Sequence, residues 1–153
     1  MTDDAYEVFT ICAAVERKMG EVYQRFAQLH RNDPTLHRLW LKTAGEEENH
    51  ALQFDRAKSH ASEIAGTIIT TDVARGLLKA AETFLADVRS QRPRPREALQ
   101  SAIQFEQRMA EFHLTHVAII PRTAVRKLFE AMHKADRDHT TALDLELSRH
   151  PKQ

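Results

Sequence analysis

The chain has little of what specifies disulfide-rich, membrane-spanning or nucleic-acid-binding proteins. Its 153 residues include one cysteine, Cys12, which excludes an internal disulfide and a Cys-x-x-Cys metal site. Lys plus Arg and Asp plus Glu each number 22, and a net charge of zero does not favour nucleic acid or an anionic membrane as a partner. No stretch approaches the ~18 apolar residues of a membrane span, and the acidic N-terminus MTDDAYEV is unlike a signal peptide. We therefore expect one domain, residues 1–153, in the cytoplasm.

Glycine and proline are also scarce, with 4 and 5 residues, while Ala, Leu, Glu, Lys and Arg are abundant. This composition favours an all-α fold. Apolar residues recur with helical spacing, and they predict five helices at about 4–30, 34–64, 72–90, 96–119 and 122–148. The four long helices would form two antiparallel hairpins, at about 4–64 and 96–148. The shorter third helix would lie in the crossover of about 66–96, which ends in a proline-containing extended linker.

The apolar stripes of these helices predict the residues of the core. The stripe of the second helix runs through Leu36, Trp40, Thr43, Glu47, His50, Phe54 and Ala57. The third and fourth helices have similar stripes, which include Val73 and Ile119. Glu46 and Glu48 fall on the solvated side of the second helix. His30, His37, His60 and His150 are expected at the surface.

The two halves of the chain repeat one motif. With an offset of 90, the segment ERKMGEV that begins at Glu16 aligns with EQRMAEF, which begins at Glu106. With an offset of 89, Glu47 and His50 align with Asp136 and His139. A repeated helical hairpin is rarer than a single acid-x-x-His motif, which alone would fit an ordinary charged helix.

The turns place these groups at one height in each hairpin. Residues of an antiparallel pair lie level when the turn is midway between them. The midpoint of 16 and 47 is 31.5, within the Arg31–Pro34 turn, and the midpoint of 106 and 136 is 121, which is Pro121. Each glutamate therefore lies level with an acid-x-x-His pair, roughly 22 Å from its turn at 1.5 Å per residue.

The helix faces agree with a shared site in the core. Residues three apart on a helix lie on neighbouring faces, so each acid and its histidine can bind one ion. Both pairs and both glutamates fall on apolar stripes. Four carboxylates and two imidazoles in one core are costly without a cation, and two divalent metals bridged by carboxylates would neutralise them. The predicted ligands are Glu16, Glu47, His50, Glu106, Asp136 and His139.

Other residues near this pattern are less strongly indicated as part of a metal site. Tyr23 and His113 each lie seven residues after a predicted ligand glutamate, on the same face, and could either hydrogen-bond the ligands or simply pack in the core. Glu130 and His133 have the acid-x-x-His spacing too, but they fall on the polar side of the last helix. Met19 and Met109 are expected in the core rather than as ligands.

The pattern resembles the ferritin-like di-iron carboxylate proteins, in which two helices each supply a Glu and two others each supply Glu-x-x-His. The stretches AAVERKMGEVYQRFA and LWLKTAGEEENHALQF are most similar to rubrerythrins, and the likeness extends over nearly the whole chain except the crossover. The resemblance implies a ferritin-like four-helix bundle that binds two iron ions. It also implies that Glu47 and Asp136 bridge the ions, that Glu16 and Glu106 are terminal ligands, and that His50 and His139 take one ion each.

Three departures from rubrerythrins bear on the chemistry. Met109 stands where they usually carry a further glutamate, Asp136 is a methylene shorter than the usual Glu, and no rubredoxin-type pair of Cys-x-x-Cys motifs is present. Electrons would therefore come from a separate donor protein or from substrate iron. The missing glutamate predicts slow peroxide turnover.

The resemblance implies redox chemistry, in which an Fe(II) pair reacts with hydrogen peroxide or dioxygen. An alternative is a ferroxidase or other iron-handling protein, in which iron leaves the site. A third is a non-enzymatic bundle with a structural metal. Carboxylate and imidazole ligands suit manganese and zinc as well as iron, and only the resemblance selects iron. We expect a homo-oligomer, a dimer or larger, without nucleic acid or membrane partners.

Overall fold

A computed structural model describes residues 3–64, 71–121 and 123–152, and these ranges are all-helical, with no strand. The helices run over Asp3–Leu29 (α1), Pro34–Ala57 (α2), Thr71–Gln91 (α3), Pro95–Ile119 (α4) and Ala124–Leu147 (α5). A 3₁₀ helix, Lys58–Ile64, continues α2. The predicted all-α class is therefore confirmed. The predicted second helix to residue 64 was too long, because the last turns tighten to 3₁₀ geometry.

Two antiparallel helix pairs form the bundle. Helix α1 packs against α2, α4 packs against α5, and α2 contacts α5. In the first pair the side chain of Arg17 reaches Asp55, and His37 reaches the carbonyl of Ala27, so the two helices run in opposite directions. In the second pair His133 reaches the carbonyl of Ala110 and His139 reaches Glu106, so these helices are antiparallel as well.

Helix starts are specified by local chemistry. Pro34 occupies the first turn of α2, where no amide hydrogen is needed, and the carboxylate of Asp33 accepts from the amide of Leu36. Thr123 caps α5 in the same way. Pro95 begins α4, so residues 92–94 separate α3 from α4, and the extended linker is slightly shorter than the 91–95 left between the predicted helices.

Helix α3 packs against α1. The ring of Phe84 lies 6.0 Å from Phe26 of α1 and 5.8 Å from Phe105 of α4. The predicted stripe of α3 was rotated at its start, since Val73 is 58% exposed and Ala74 is buried. Ile119, at the end of α4, is exposed as well, contrary to the prediction. The threonine-rich loop predicted after Gly66 begins outside the described residues.

The core follows the apolar stripes in the middle of each helix. Every predicted residue of the α2 stripe is buried, including Glu47 and His50. Trp40 and Tyr23 are among the largest side chains completely removed from solvent, and their rings stack with centroids 5.6 Å apart. Within the described ranges, no helix combines the length and apolar character needed to cross a membrane.

His30 lies in this core rather than at the surface. Its Nδ1 accepts from the indole Nε1 of Trp40 at 3.0 Å, and its Nε2 lies 3.0 Å from the carbonyl oxygen of Pro93. Only 7% of His30 is exposed, and burial lowers the pKa of its imidazole. The surface prediction was wrong because a buried indole N–H needs an acceptor, and His30 supplies it.

Candidate metal centre

The structure brings all six predicted ligands together in the bundle core. Helix α1 supplies Glu16 and α4 supplies Glu106, while α2 and α5 each supply a carboxylate and a histidine. All six side chains are buried: Glu16, Glu47, His50, Glu106, Asp136 and His139. They fall in overlapping groups whose ligand atoms lie within 4.8 Å of one another, so the matching heights expected from the turns hold in three dimensions.

One group of possible ligands surrounds His139. Its Nδ1 lies 3.1 Å from an oxygen of Glu47 and 3.3 Å from an oxygen of Glu106. One ligand atom from each residue lies within 4.8 Å of the other two, a spacing that a single cation can bridge. Hereafter the His139 position means the space among Glu47, Glu106 and His139.

A second group surrounds His50 and shares one residue with the first. The Nδ1 atom of His50 lies 3.8 Å from an oxygen of Glu16 and 3.7 Å from an oxygen of Glu47. These three residues also offer ligand atoms within 4.8 Å of one another. Hereafter the His50 position means the space among Glu16, Glu47 and His50. Glu47 belongs to both positions, and the same oxygen, Oε1, faces both imidazoles.

Asp136 has a different environment from Glu47. One of its carboxylate oxygens lies 2.5 Å from Nδ1 of His113, and together with Glu16 these residues form a third compact group. Burial lowers the pKa of His113, even though Glu16 and Glu106 favour its charged form. A neutral His113 with its proton on Nδ1 donates to Asp136, which leaves one Asp136 oxygen to bind a cation.

Missing hydrogen bonds provide the test of whether a metal fits. Among the described residues, ten buried side-chain nitrogen or oxygen atoms have no hydrogen-bond partner, and eight of them belong to the six candidate ligands. Both oxygens of Glu16 and both oxygens of Glu47 are in this set. Unpaired buried polar atoms are costly, and the eight on the candidate ligands are carboxylate oxygens and imidazole nitrogens, which coordinate metals. The donor set therefore fits two divalent cations.

Electrostatics favours protons on three of the six candidate ligands, Glu47, Asp136 and His139. Burial, and then the charges of Glu16 and Glu106, raise the pKa of Glu47 well above its ordinary value. Burial and the same two charges raise the pKa of Asp136. Burial alone would lower the pKa of His139, but the carboxylates of Glu106 and Glu46 raise it to about 9. Metal binding must therefore displace protons.

Tyr23 lies beside the ligands. Its hydroxyl donates to Glu106 across 2.7 Å, within the core. Burial and the negative charge of Glu106 raise the pKa of the phenol, so Tyr23 stays protonated and can act only as a donor to that carboxylate. The sequence allowed Tyr23 and His113 either to hydrogen-bond the ligands or simply to pack in the core. Both side chains hydrogen-bond a ligand, Tyr23 to Glu106 and His113 to Asp136.

Glu46 was missed by the sequence reasoning. It was expected on the solvated side of α2, but its Oε2 lies 2.7 Å from Nε2 of His139. This contact holds the imidazole from behind and directs Nδ1 toward Glu47 and Glu106. The position of Glu46 next to Glu47 fits a solvated helix face equally well, so the sequence provides no signal for this contact.

Two other acid–histidine combinations do not offer buried ligand atoms without partners. Glu130 is exposed and pairs with Arg126 of its own helix at 3.3 Å. At the other end of the bundle, Asp33, Glu146 and His150 are close enough to hold an ion. However, Arg149 donates to both Glu146 oxygens, at 2.7 and 2.9 Å, and already neutralises that carboxylate.

Comparisons of this chain with protein-family models, with curated proteins and with solved structures find no match. Any proposal about function therefore rests on the geometry and chemistry of the buried site.

Proposed function

We propose that the protein is a ferritin-like di-iron carboxylate protein, of rubrerythrin-like type, whose Fe(II) pair reacts with hydrogen peroxide or dioxygen. One observation carries this proposal: all six residues of the repeated motif have buried ligand atoms without a protein partner. The two antiparallel helix pairs, joined through α3, are compatible with the ferritin-like arrangement.

The residues divide between two ions. Glu106 and His139 would hold one ion, Glu16 and His50 would hold the other, and Glu47 would bridge them. The oxygen of Asp136 that has no hydrogen-bond partner would be a further ligand to the two ions. When bound, an Fe(II) pair would supply the two electrons that reduce hydrogen peroxide to water, or that begin the reduction of dioxygen.

The protein's own groups prepare the site for this chemistry. Tyr23 and His113 orient the carboxylates of Glu106 and Asp136 through hydrogen bonds of 2.7 and 2.5 Å. The rings of Phe54 and Phe129 lie 5.8 and 5.9 Å from the ring of His113 and exclude water from that side. A dry, preorganised set of donors strengthens each electrostatic contact.

Iron handling is the second candidate, and a buried residue favours it. Met109 is fully buried on α4, one turn after Glu106, where rubrerythrins usually have a carboxylate. Without that group an ion has fewer ligands to exchange between oxidation states. The iron would then be oxidised and passed on rather than cycled with an external electron donor.

Anaerobic loading with Fe(II), followed by stopped-flow mixing with peroxide or oxygen, tests the proposal. We expect about two ions per chain and oxidation of both in one rapid phase. Repeated additions of Fe(II) separate the two candidates, because iron stays in the site in a peroxidase and leaves it in an iron-handling protein. Bound iron that reacts with neither oxidant, or a site filled by zinc in protein purified without tags, would instead support a structural metal.

A further inference from the structure

The two halves of the repeat differ in the groups that surround the ligands. The offset of 89 that aligns His50 with His139 also aligns Glu46 with Ala135. The offset of 90 that aligns Glu16 with Glu106 also aligns Tyr23 with His113. An exact repeat would give both ions identical surroundings, and these two pairs show that their surroundings are unequal.

The ligands of the His139 position are held in place from outside. Glu46 contacts Nε2 of His139 at 2.7 Å, so the opposite ring nitrogen faces the ion. Tyr23 donates to one oxygen of Glu106 at 2.7 Å, which leaves the other oxygen free. Both ligands that belong to this position alone are therefore oriented before any ion arrives.

The ligands of the His50 position have no such support. Neither oxygen of Glu16 has a hydrogen-bond partner among the described residues. His113, which corresponds to Tyr23, is 4.0 Å from Glu16, too far for a hydrogen bond, because its ring is turned to Asp136. Ala135 cannot hold His50 as Glu46 holds His139. Glu16 and His50 are therefore positioned by packing in the core, without a hydrogen bond from outside the position.

We propose that the two positions bind metal unequally: the His139 position keeps a resident ion, and the His50 position takes a more weakly held, exchangeable divalent cation. This inference rests on the proposed function, because it assumes that both positions bind metal. It specifies which ion would enter and leave, and it places Glu46 as a positioning residue for the resident ion.

The expected difference in metal affinity follows from the orienting contacts that the His50 position lacks. Removing a group that orients a metal-binding histidine typically lowers metal affinity by about 10–100-fold. The His50 position lacks two such groups. We therefore expect the two affinities to differ by at least about tenfold, and we expect the weaker ion to leave first when a chelator is added.

Titration of the chelator-treated protein with Co(II), in competition with a chromophoric chelator, measures both affinities. A chase of the fully loaded protein with excess chelator measures both dissociation rates. Three single substitutions accompany the unaltered chain. Glu46→Ala removes the support of His139, Ala135→Glu supplies the missing carboxylate to His50, and Glu48→Ala is the control. Ala135 is half-buried like Glu46, so the new side chain fits a comparable environment, whereas the Glu48 side chain is 60% exposed.

We expect two separate binding steps in the unaltered protein and in Glu48→Ala. Glu46→Ala should weaken the tight step by about 10–100-fold, while Ala135→Glu should tighten the weak step by about tenfold. Glu46→Gln, which can still accept from His139, should fall between the unaltered protein and Glu46→Ala. Two equal steps in the unaltered protein, or a Glu46→Ala variant with an unchanged tight step, would overturn the inequality and leave the proposed function intact. If the unaltered protein binds no Co(II), the proposed function fails, and this inference fails with it.

Discussion

Without metal, the stability of this protein should fall as the pH rises above neutrality, and His139 gives the magnitude. The carboxylates around it raise its pKa from 6.5 to about 9. A group with a higher pKa in the folded state stabilises the fold fully below its unfolded pKa. That stability is lost as the pH rises through the folded pKa. The loss should therefore lie between about pH 6.5 and 9.

The difference of about 2.5 pH units corresponds to about 3.4 kcal/mol, at about 1.36 kcal/mol for each unit. His139 itself is buried, but Glu46 is 39% exposed, so solvent screens part of the effect and about 3 kcal/mol is an upper value. For a chain of this length, such a loss lowers the melting temperature by roughly 6–12 °C. Glu47 and Asp136, whose pKa values are also raised, act in the same direction.

Three buried histidines act in the opposite direction, but in a different pH range. Burial lowers the pKa values of His30, His113 and His116, so they destabilise the fold only as the pH falls below about 6.5. Measurements between pH 7 and 9.5 therefore isolate the falling limb.

Thermal melts of chelator-treated protein, followed by circular dichroism, test this expectation. His139→Gln should remove most of the slope between pH 7 and 9.5, and His60→Gln, a change at an exposed histidine, should retain it. Metal should abolish the slope in the unaltered chain, because it replaces the displaced protons. A metal-free melting temperature that rises from pH 7 to 9.5, or a His139→Gln slope equal to that of the control, would refute the reasoning.

Three further changes have definite outcomes. Replacing Glu130 and His133 together should leave the metal content unchanged in elemental analysis, and a loss of metal would move the site to that pair. Met109→Glu should raise steady-state peroxide reduction if the missing carboxylate limits turnover, and fast multi-turnover reduction by the unaltered protein would contradict this. Trp40→Phe keeps a ring in the core but leaves His30 without its donor, so chemical denaturation should show a loss of about 1–3 kcal/mol.

The sequence predicted those parts of the molecule that depend on periodicity and on level positions in a hairpin. The stripe through Glu47 and His50 was correct, because many apolar residues on both sides define the helical phase in the middle of a long helix. The same method misplaced Val73 and Ile119, which lie near helix ends, where the apolar stripe has few residues to define it. It also placed the ligands of each hairpin at one height correctly, because prolines mark both turns and so fix the midpoint of each hairpin.

Contacts between helices could not be predicted in this way. By helical phase, His30, just after α1, and Glu46, on α2, look like surface residues. Each contacts a side chain of another helix: His30 contacts Trp40, and Glu46 contacts His139. Helical phase describes one helix at a time, whereas these partners depend on how far the helices approach and which way each ring turns. The unequal support of the two metal positions arises from such contacts.

Metal content tests the central claim most directly. Chelator-treated protein is dialysed to equilibrium against excess Fe(II) without oxygen, and the bound iron is measured for the unaltered chain, Glu47→Ala and the exposed control Glu48→Ala. We predict about two ions per chain in the unaltered protein and the control, and loss of most bound iron from Glu47→Ala, because one carboxylate serves both ions. An unaltered protein without iron, or a Glu47→Ala protein that keeps two ions, would contradict the account.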